Sequence, residues 1–115
     1  PASEEVRPGR VAELARAGDV GAAARLGRRL AASGNPSHFT LQVLLACNPD
    51  NVQRAFEEVS EARLTVLPAE YQGRSCYRLC WGSYPDAKAA RSAASSVPAH
   101  FENEPVPRPW GDLLR

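Results

Sequence analysis

The fold is decided by residues 77–86, which read Tyr77-Arg78-Leu79-Cys80-Trp81-Gly82-Ser83-Tyr84-Pro85-Asp86. The start of this stretch alternates in the way of a strand with one buried face, and its Pro-Asp end is a typical helix start. A weaker copy of the pattern lies 36 residues earlier, where Leu41-Gln42-Val43 is followed by Pro49-Asp50. The same strand-and-helix unit therefore occurs twice.

Two such units predict an α+β domain of the ferredoxin/RNP-like type, with the element order β-α-β-β-α-β. A four-stranded antiparallel sheet would then carry two helices on one face and leave its other face open. The predicted strands are 38–46, 64–70, 75–82 and an edge strand near 104–108, and the predicted helices run from 49 to about 63 and from about 85 to 96. In this order the first and third strands are adjacent and central.

Residues 1–36 are expected to form a separate helical hairpin, and residues 37–115 the α+β domain. The hairpin resembles the helical pair of a tetratricopeptide repeat, broken at Gly18, with Asp19 as the expected cap of its second helix. A single repeat cannot bury its own apolar face. We therefore interpret the hairpin as a support packed on the next domain, with a terminal remnant of a repeat array as the alternative.

The charge balance argues against recognition through a general electrostatic field. Fourteen basic residues face 13 acidic ones, for a net charge of +1, which would draw neither nucleic acid nor an anionic membrane. The longest apolar run, residues 41–47, is too short to span a bilayer. Because the chain begins at Pro1 and contains no Met, it is expected to be part of a longer polypeptide, and any membrane attachment would lie elsewhere in that parent.

The first candidate site is formed by Gln42 and Arg78 in the two central strands. Both are expected on the open face, beside Leu44, Cys76 and Cys80. Amide and guanidinium groups offer fixed sets of hydrogen-bond donors, which suit the hydroxyl, acetamido and carboxylate groups of a sugar chain. The alternative is that both are ordinary solvated polar residues.

A second candidate is an aromatic surface for stacking single-stranded RNA. The aromatic residues in question are Tyr71, Tyr77, Trp81, Tyr84 and Trp110. Alternation with Arg78 places Tyr77 and Trp81 in the core instead of on the open face, so no nucleic-acid partner is expected. Trp110, with Leu113 and Leu114, is expected to fold back onto the helical hairpin.

The third candidate is a cysteine and histidine cluster, which the spacing does not favour as a metal site. Cys76 and Cys80 lie four residues apart on one strand, roughly 13 Å at about 3.3 Å per residue, too far for a shared metal or a mutual disulfide. A bridge between Cys47 and Cys76 stays open, although we favour buried free thiols. With no recognisable catalytic motif in the chain, we expect neither an enzyme nor a cofactor.

Residues 38–114 resemble the SPOR (sporulation-related repeat) domain, a bacterial fold of about 75 residues. The first strand of that family typically reads Val-Gln-hydrophobic-Gly-Ser-Phe and the third Tyr-Arg-Val-x-Val-Gly-Pro-Phe. Here residues 41–46 read Leu-Gln-Val-Leu-Leu-Ala and residues 77–84 read Tyr-Arg-Leu-Cys-Trp-Gly-Ser-Tyr. The third strand fits well, whereas Leu44 and Leu45 replace the Gly and Ser of the first, and Cys76 replaces an aromatic often seen before the Arg.

The resemblance implies a peptidoglycan-binding module on the periplasmic side of the bacterial cell envelope. Such a module binds glycan strands denuded of their stem peptides across the open sheet face, which targets proteins to sites of cell division. Gln42 and Arg78 match the polar contact positions of the family. Because the first strand departs from the pattern, the alternative is a degenerate SPOR-like domain that serves as a protein-protein interaction module.

Overall fold

The computed structural model describes residues 8–59, 63–101 and 103–115. Its helices are α1 (Pro8–Arg16), α2 (Val20–Ala32), α3 (Pro49–Glu58), α4 (Ala87–Ser92) and α5 (Trp110–Leu113). Its strands are β1 (Phe39–Ala46), β2 (Leu64–Tyr71), β3 (Arg74–Tyr84) and β4 (Val106–Pro109). The predicted α+β class, with a four-stranded antiparallel open sheet, is confirmed.

The strands lie in the order β2-β3-β1-β4, so β1 and β3 are central as predicted. Strands β2 and β3 form a hairpin whose two turn residues, Gln72 and Gly73, have φ angles of 52° and 75°. Two consecutive positive φ angles are typical of a type I′ turn, which matches the right-handed twist of the paired strands. The hairpin fixes the register that brings Leu67 of β2 opposite Arg78 of β3.

Side-chain caps start both helices that follow the repeated Pro-Asp pattern. The Asn48 side chain accepts a hydrogen bond from the Asp50 amide at 2.9 Å, and the Asp86 side chain accepts one from the Ala89 amide at 2.8 Å. Helix α3 ends at Glu58 because Val59 is extended, so the predicted end near residue 63 is wrong. Helix α4 ends at Ser92 and is followed by a 3₁₀ turn at Ala93–Ser96. The α-helical part is therefore shorter than predicted.

The main core lies between the sheet and the side that carries α3 and α4, here called the helix side. Trp81 is 1% exposed, and its indole Nε1 donates to Ser96 Oγ at 3.2 Å. Helix α3 buries an apolar stripe of Val52, Ala55 and Phe56, and the inward residues of the central strands are buried as well. Among its buried members are Leu41, Val43, Val52, Ala55, Phe56, Val59, Leu64, Val66, Leu79, Trp81 and Ala90.

The helical hairpin α1–α2 shares this core instead of forming one of its own. Helix α2 lies along β2, the edge strand, and a Cβ on Gly27 would come within 2.0 Å of the Val66 carbonyl oxygen. Only glycine permits this close approach. The helix thereby covers the edge of β2, which would otherwise expose unpaired backbone groups. Asp19 is the N-cap residue of α2, as predicted, although its side chain makes no capping hydrogen bond.

Candidate functional site

A bulge in β1 changes which of two adjacent leucines, Leu44 or Leu45, lies on the open face, the sheet face opposite α3 and α4. Gln42 pairs with Cys80, but the next pairs are Leu44 with Leu79 and then Leu45 with Arg78. One extra residue in a strand reverses the alternation beyond it. Leu44 therefore contacts the helix-side core, and its predicted place on the open face is wrong. Leu45 takes that place.

Two of the three cysteines form a disulfide, which corrects the expectation of free thiols. Cys47 and Cys76 are bonded across the end of β1 and the start of β3. The antiparallel pairing explains this, because Ala46 lies opposite Tyr77 and the next pair along the two strands is Cys47 and Cys76. Cys76 is 1% exposed, so it cannot offer a thiol to a ligand as a member of the predicted site.

Cys80 is free but fully buried, so its predicted contact with a ligand is also wrong. Burial raises the pKa of the Cys80 thiol to about 12, although the nearby charges of Arg78 and Arg108 lower it in part. The thiol stays protonated at neutral pH. It is a small apolar side chain beneath the surface of the open face, and not a reactive group.

The cover over Cys80 is helix α5. Trp110 and Leu113 form a second apolar cluster with Leu67 and Cys80 of the sheet, against which Ala31 of α2 packs. Backbone amides of Trp110 and Gly111 donate to the carbonyls of His38 and Pro36 at 2.9 and 3.0 Å. The Trp110 indole also donates to Ser83 Oγ at 3.0 Å.

The contact with Ala31 confirms that Trp110 folds back onto the hairpin. Arg28 of α2 adds a hydrogen bond to the Leu114 carbonyl. The face expected to be bare is therefore closed at one end by the C-terminal part of the chain.

A polar groove of 470 Å³ remains beside α5, and we call it the arginine groove. Four arginines and two carboxylates lie along it, and Asp112 is paired with Arg115 at 3.2 Å. Arginine side chains thus outnumber acidic ones two to one. The lining residues are Arg28, Pro68, Ala69, Glu70, Arg78, Arg108, Asp112, Leu113 and Arg115.

Two of the groove's arginines come from the sheet, Arg78 from β3 and Arg108 from β4. Arg108 of β4 donates to the Gln42 side-chain oxygen of β1 at 3.2 Å. Arg78 of β3 is half-buried, and its Nε atom is buried without a hydrogen-bond partner among the described residues. Burial lowers the pKa of Arg78, and the neighbouring charge of Arg108 lowers it further. Arg108 is therefore hydrogen-bonded to one predicted polar residue, Gln42, and lines the groove together with the other, Arg78.

Two exposed apolar side chains extend the open face beyond the groove. Tyr71 is 49% exposed and lies opposite Arg74 at the hairpin end of β2, in the alternation that also presents Leu67 and Ala69 on this face. Val106 is 48% exposed and lies opposite Gln42 on β4. The surface next to Gln42 and Arg78 thus offers apolar contacts as well as hydrogen-bond donors.

The aromatic residues predicted to lie in the core are found on the helix side. Trp81 is buried, and Tyr77 is partly buried against the same core. The Arg63 guanidinium lies 5.3 Å from the centre of the Trp81 ring. Neither ring is placed to stack a ligand on the open face, which agrees with the alternation argued from Arg78.

No group of three or more His, Cys, Asp or Glu side chains among the described residues could hold a metal ion. Within the same residues, no helix combines the length and apolar character that crossing a bilayer requires. The His100 imidazole contacts the Glu58 carboxylate on the helix side, and its ring packs edge-on against Phe101.

No protein-family model matches the chain, and no curated protein matches it. The SPOR resemblance therefore rests on the strand motifs.

Sequence reasoning predicted only Arg78 among the charged residues of the groove and missed the other five, which are Arg28, Glu70, Arg108, Asp112 and Arg115. Arg108 lies between Pro107 and Pro109, in a tail whose prolines indicate only a loosely placed edge strand. Its alternation with Val106 and its pairing with Thr40 could be read only after the register was known. Arg28 gives no signal in the sequence, because no local pattern shows that α5 and α2 meet beside the sheet.

Proposed function

We propose that this chain is a non-catalytic binding module that holds peptidoglycan glycan strands, stripped of their stem peptides, in the arginine groove. The observation that carries the proposal is that Arg78 and Arg108 line one groove of the open face, with Arg108 hydrogen-bonded to Gln42. Together they present an amide and two planar guanidinium groups from a rigid sheet, with apolar side chains beside them. Sugars need this combination, because their rings carry both polar substituents and apolar C–H surfaces.

The distribution of polar groups favours sugar over an apolar partner segment. An apolar open face would have required Leu44 exposed beside two cysteines. Instead Leu44 lies on the helix side and both Cys76 and Cys80 are buried. The groove around Arg78 and Arg108 is lined mainly by charged side chains, although Leu45 takes the place of Leu44 opposite Arg78.

The proposed location is the periplasmic side of a bacterial cell envelope, at sites of division where amidases act. The Cys47–Cys76 disulfide supports an oxidising compartment, since disulfides are rare in proteins of the reducing cytosol. No nucleic-acid partner and no cofactor form part of the proposal.

A protein-interaction module is the second candidate, and one observation favours it. Tyr71 and Val106 are each about half exposed on the open face, and aromatic residues are enriched at protein interfaces. A partner segment lying across the open face would cover both. A protein-interaction module need not bind glycan, so a measurement of glycan binding separates the two functions.

The test is co-sedimentation of the protein with bacterial sacculi, intact and after amidase digestion. Pelleting should rise on digestion and fall in the Gln42→Ala/Arg78→Ala double variant. Arg54→Ala is the matched control, because Arg54 is an exposed arginine on α3, on the other side of the sheet. Absence of pelleting with both preparations would refute the glycan proposal and leave the protein-interaction module.

A further inference from the structure

The arginine groove contains an arrangement that glycan hydroxyl groups alone do not account for. Arg78 and Arg108 lie close enough for the charge of Arg108 to act on Arg78. Among the described residues, neither arginine forms an ion pair with a carboxylate. The nearby Asp112 carboxylate is paired with Arg115 instead. Glu70 lines the same groove but is exposed and bound to neither.

The unused hydrogen-bonding capacity of this pair points to an anion. The Nε atom of Arg78 is buried and without an acceptor in the described chain, although buried N–H groups are normally satisfied. Arg108 uses one nitrogen, Nη1, for Gln42, and a guanidinium carries five N–H donors in all. A planar anion between the two side chains would accept from both and remove their mutual repulsion.

We propose that Arg78 and Arg108 together bind a carboxylate of the glycan, the lactyl carboxylate that is set free when the stem peptide is removed. This inference rests on the proposed function and names the group that is recognised. While the stem peptide is attached, the same lactyl group is a neutral amide and cannot neutralise two guanidinium charges. The preference for stripped strands is then a matter of charge, and not only of room in the groove.

The ligands for the test are two forms of the same stripped glycan. One keeps its free lactyl carboxylates, and in the other these have been converted to neutral methyl amides of similar size. Dissociation constants are measured by isothermal titration calorimetry at low ionic strength, where charge pairs are least screened. The wild-type protein should bind the free-acid glycan at least about tenfold more tightly than the amide.

Three variants assign that preference to particular side chains. Arg108→Gln and Arg78→Gln should each bind the two glycans with nearly equal, weakened affinity, whereas Arg54→Gln should keep the full preference. Thermal unfolding of each variant shows whether the groove is still folded. Two different groove variants are used so that the test does not depend on Arg108 alone, whose bond to Gln42 also joins β4 to β1.

The outcomes separate this inference from the proposed function. Equal and tight binding of both glycans by the wild-type protein would overturn the carboxylate site and leave the glycan module standing. A preference for the free acid that survives in both groove variants would also overturn it. Binding of neither glycan would overturn the inference and the proposed function together.

Discussion

The two faces of the sheet differ in what covers them. The helix side is sealed by α3, α4 and the hairpin, and its central residues Leu41, Leu79 and Trp81 are at most 1% exposed. Among the described residues, α5 covers one end of the open face, and beside it lie the charged groove and the half-exposed Tyr71 and Val106. The same strands thus contribute buried packing on the helix side and binding groups on the open face. Substitutions on the helix side should lower stability and leave binding unchanged, and substitutions in the groove should do the reverse.

The largest effect is expected from Trp81→Ala on the helix side. Removing a buried Trp costs about 3 to 5 kcal/mol of unfolding free energy, because the core cannot refill the space. Chemical denaturation followed by circular dichroism measures this cost. Binding of glycan by the molecules that remain folded should be unchanged, and an unaltered stability would show that the strand facing is wrong.

The next effect concerns the disulfide that joins the central strands. Its residues are 29 apart in sequence, and closing a loop of that size stabilises a fold by about 3 to 4 kcal/mol through the unfolded chain. The Cys47→Ala/Cys76→Ala double variant should lose about that amount in denaturant titrations. Reducing agent should destabilise the wild-type protein similarly and leave the double variant unaffected. Insensitivity of the wild-type protein to reduction would argue against the bridge.

A smaller effect is expected where α5 covers the open face. Leu113→Ala should cost about 2 to 3 kcal/mol, toward the low end for a buried Leu because α5 is a short peripheral helix. The same change should expose Cys80, whose thiol is predicted to be unreactive toward a disulfide reagent at pH 8 in the wild-type protein. Faster thiol modification in Leu113→Ala measures this opening. Rapid modification in the wild-type protein would contradict the burial of Cys80.

The smallest effect on stability is expected from Arg78→Ala in the groove. Its charge is held near that of Arg108 and has no ion pair in the described chain, so the free energy of unfolding should change by less than about 1 kcal/mol. Affinity for stripped glycan should nevertheless fall at least about tenfold. A large drop in melting temperature would instead identify Arg78 as a structural residue.

The helix side could be predicted from sequence because its signals are local. The Pro-Asp helix starts, the apolar stripe of α3 and the alternation around Trp81 each follow from a few neighbouring residues. Together they determine the class, the strand order and the buried aromatic residues. The end of α3 was missed because Val59 remains apolar and buried in an extended conformation, which periodicity alone does not distinguish from another helical turn.

The open face could be predicted only in part because its arrangement depends on contacts distant in sequence. Gln42 and Arg78 were placed correctly by alternation. Three features of this face depend on register and packing. They are the bulge that moves Leu44 to the helix side, the disulfide between Cys47 and Cys76, and the burial of Cys80 beneath α5. No window of a few residues contains that information.

The central claim is that the open face, and not the helix side, receives the ligand. Nuclear magnetic resonance with ¹⁵N-labelled protein tests it directly, by following backbone, Arg and Gln side-chain N–H signals during titration with stripped glycan. The account predicts that the Gln42 amide, the Arg78 Nε–H and the backbone signals around Tyr71 and Arg108 shift, while those of α3 and α4 stay in place. Shifts confined to α3 and α4, or no shifts at all, would contradict it.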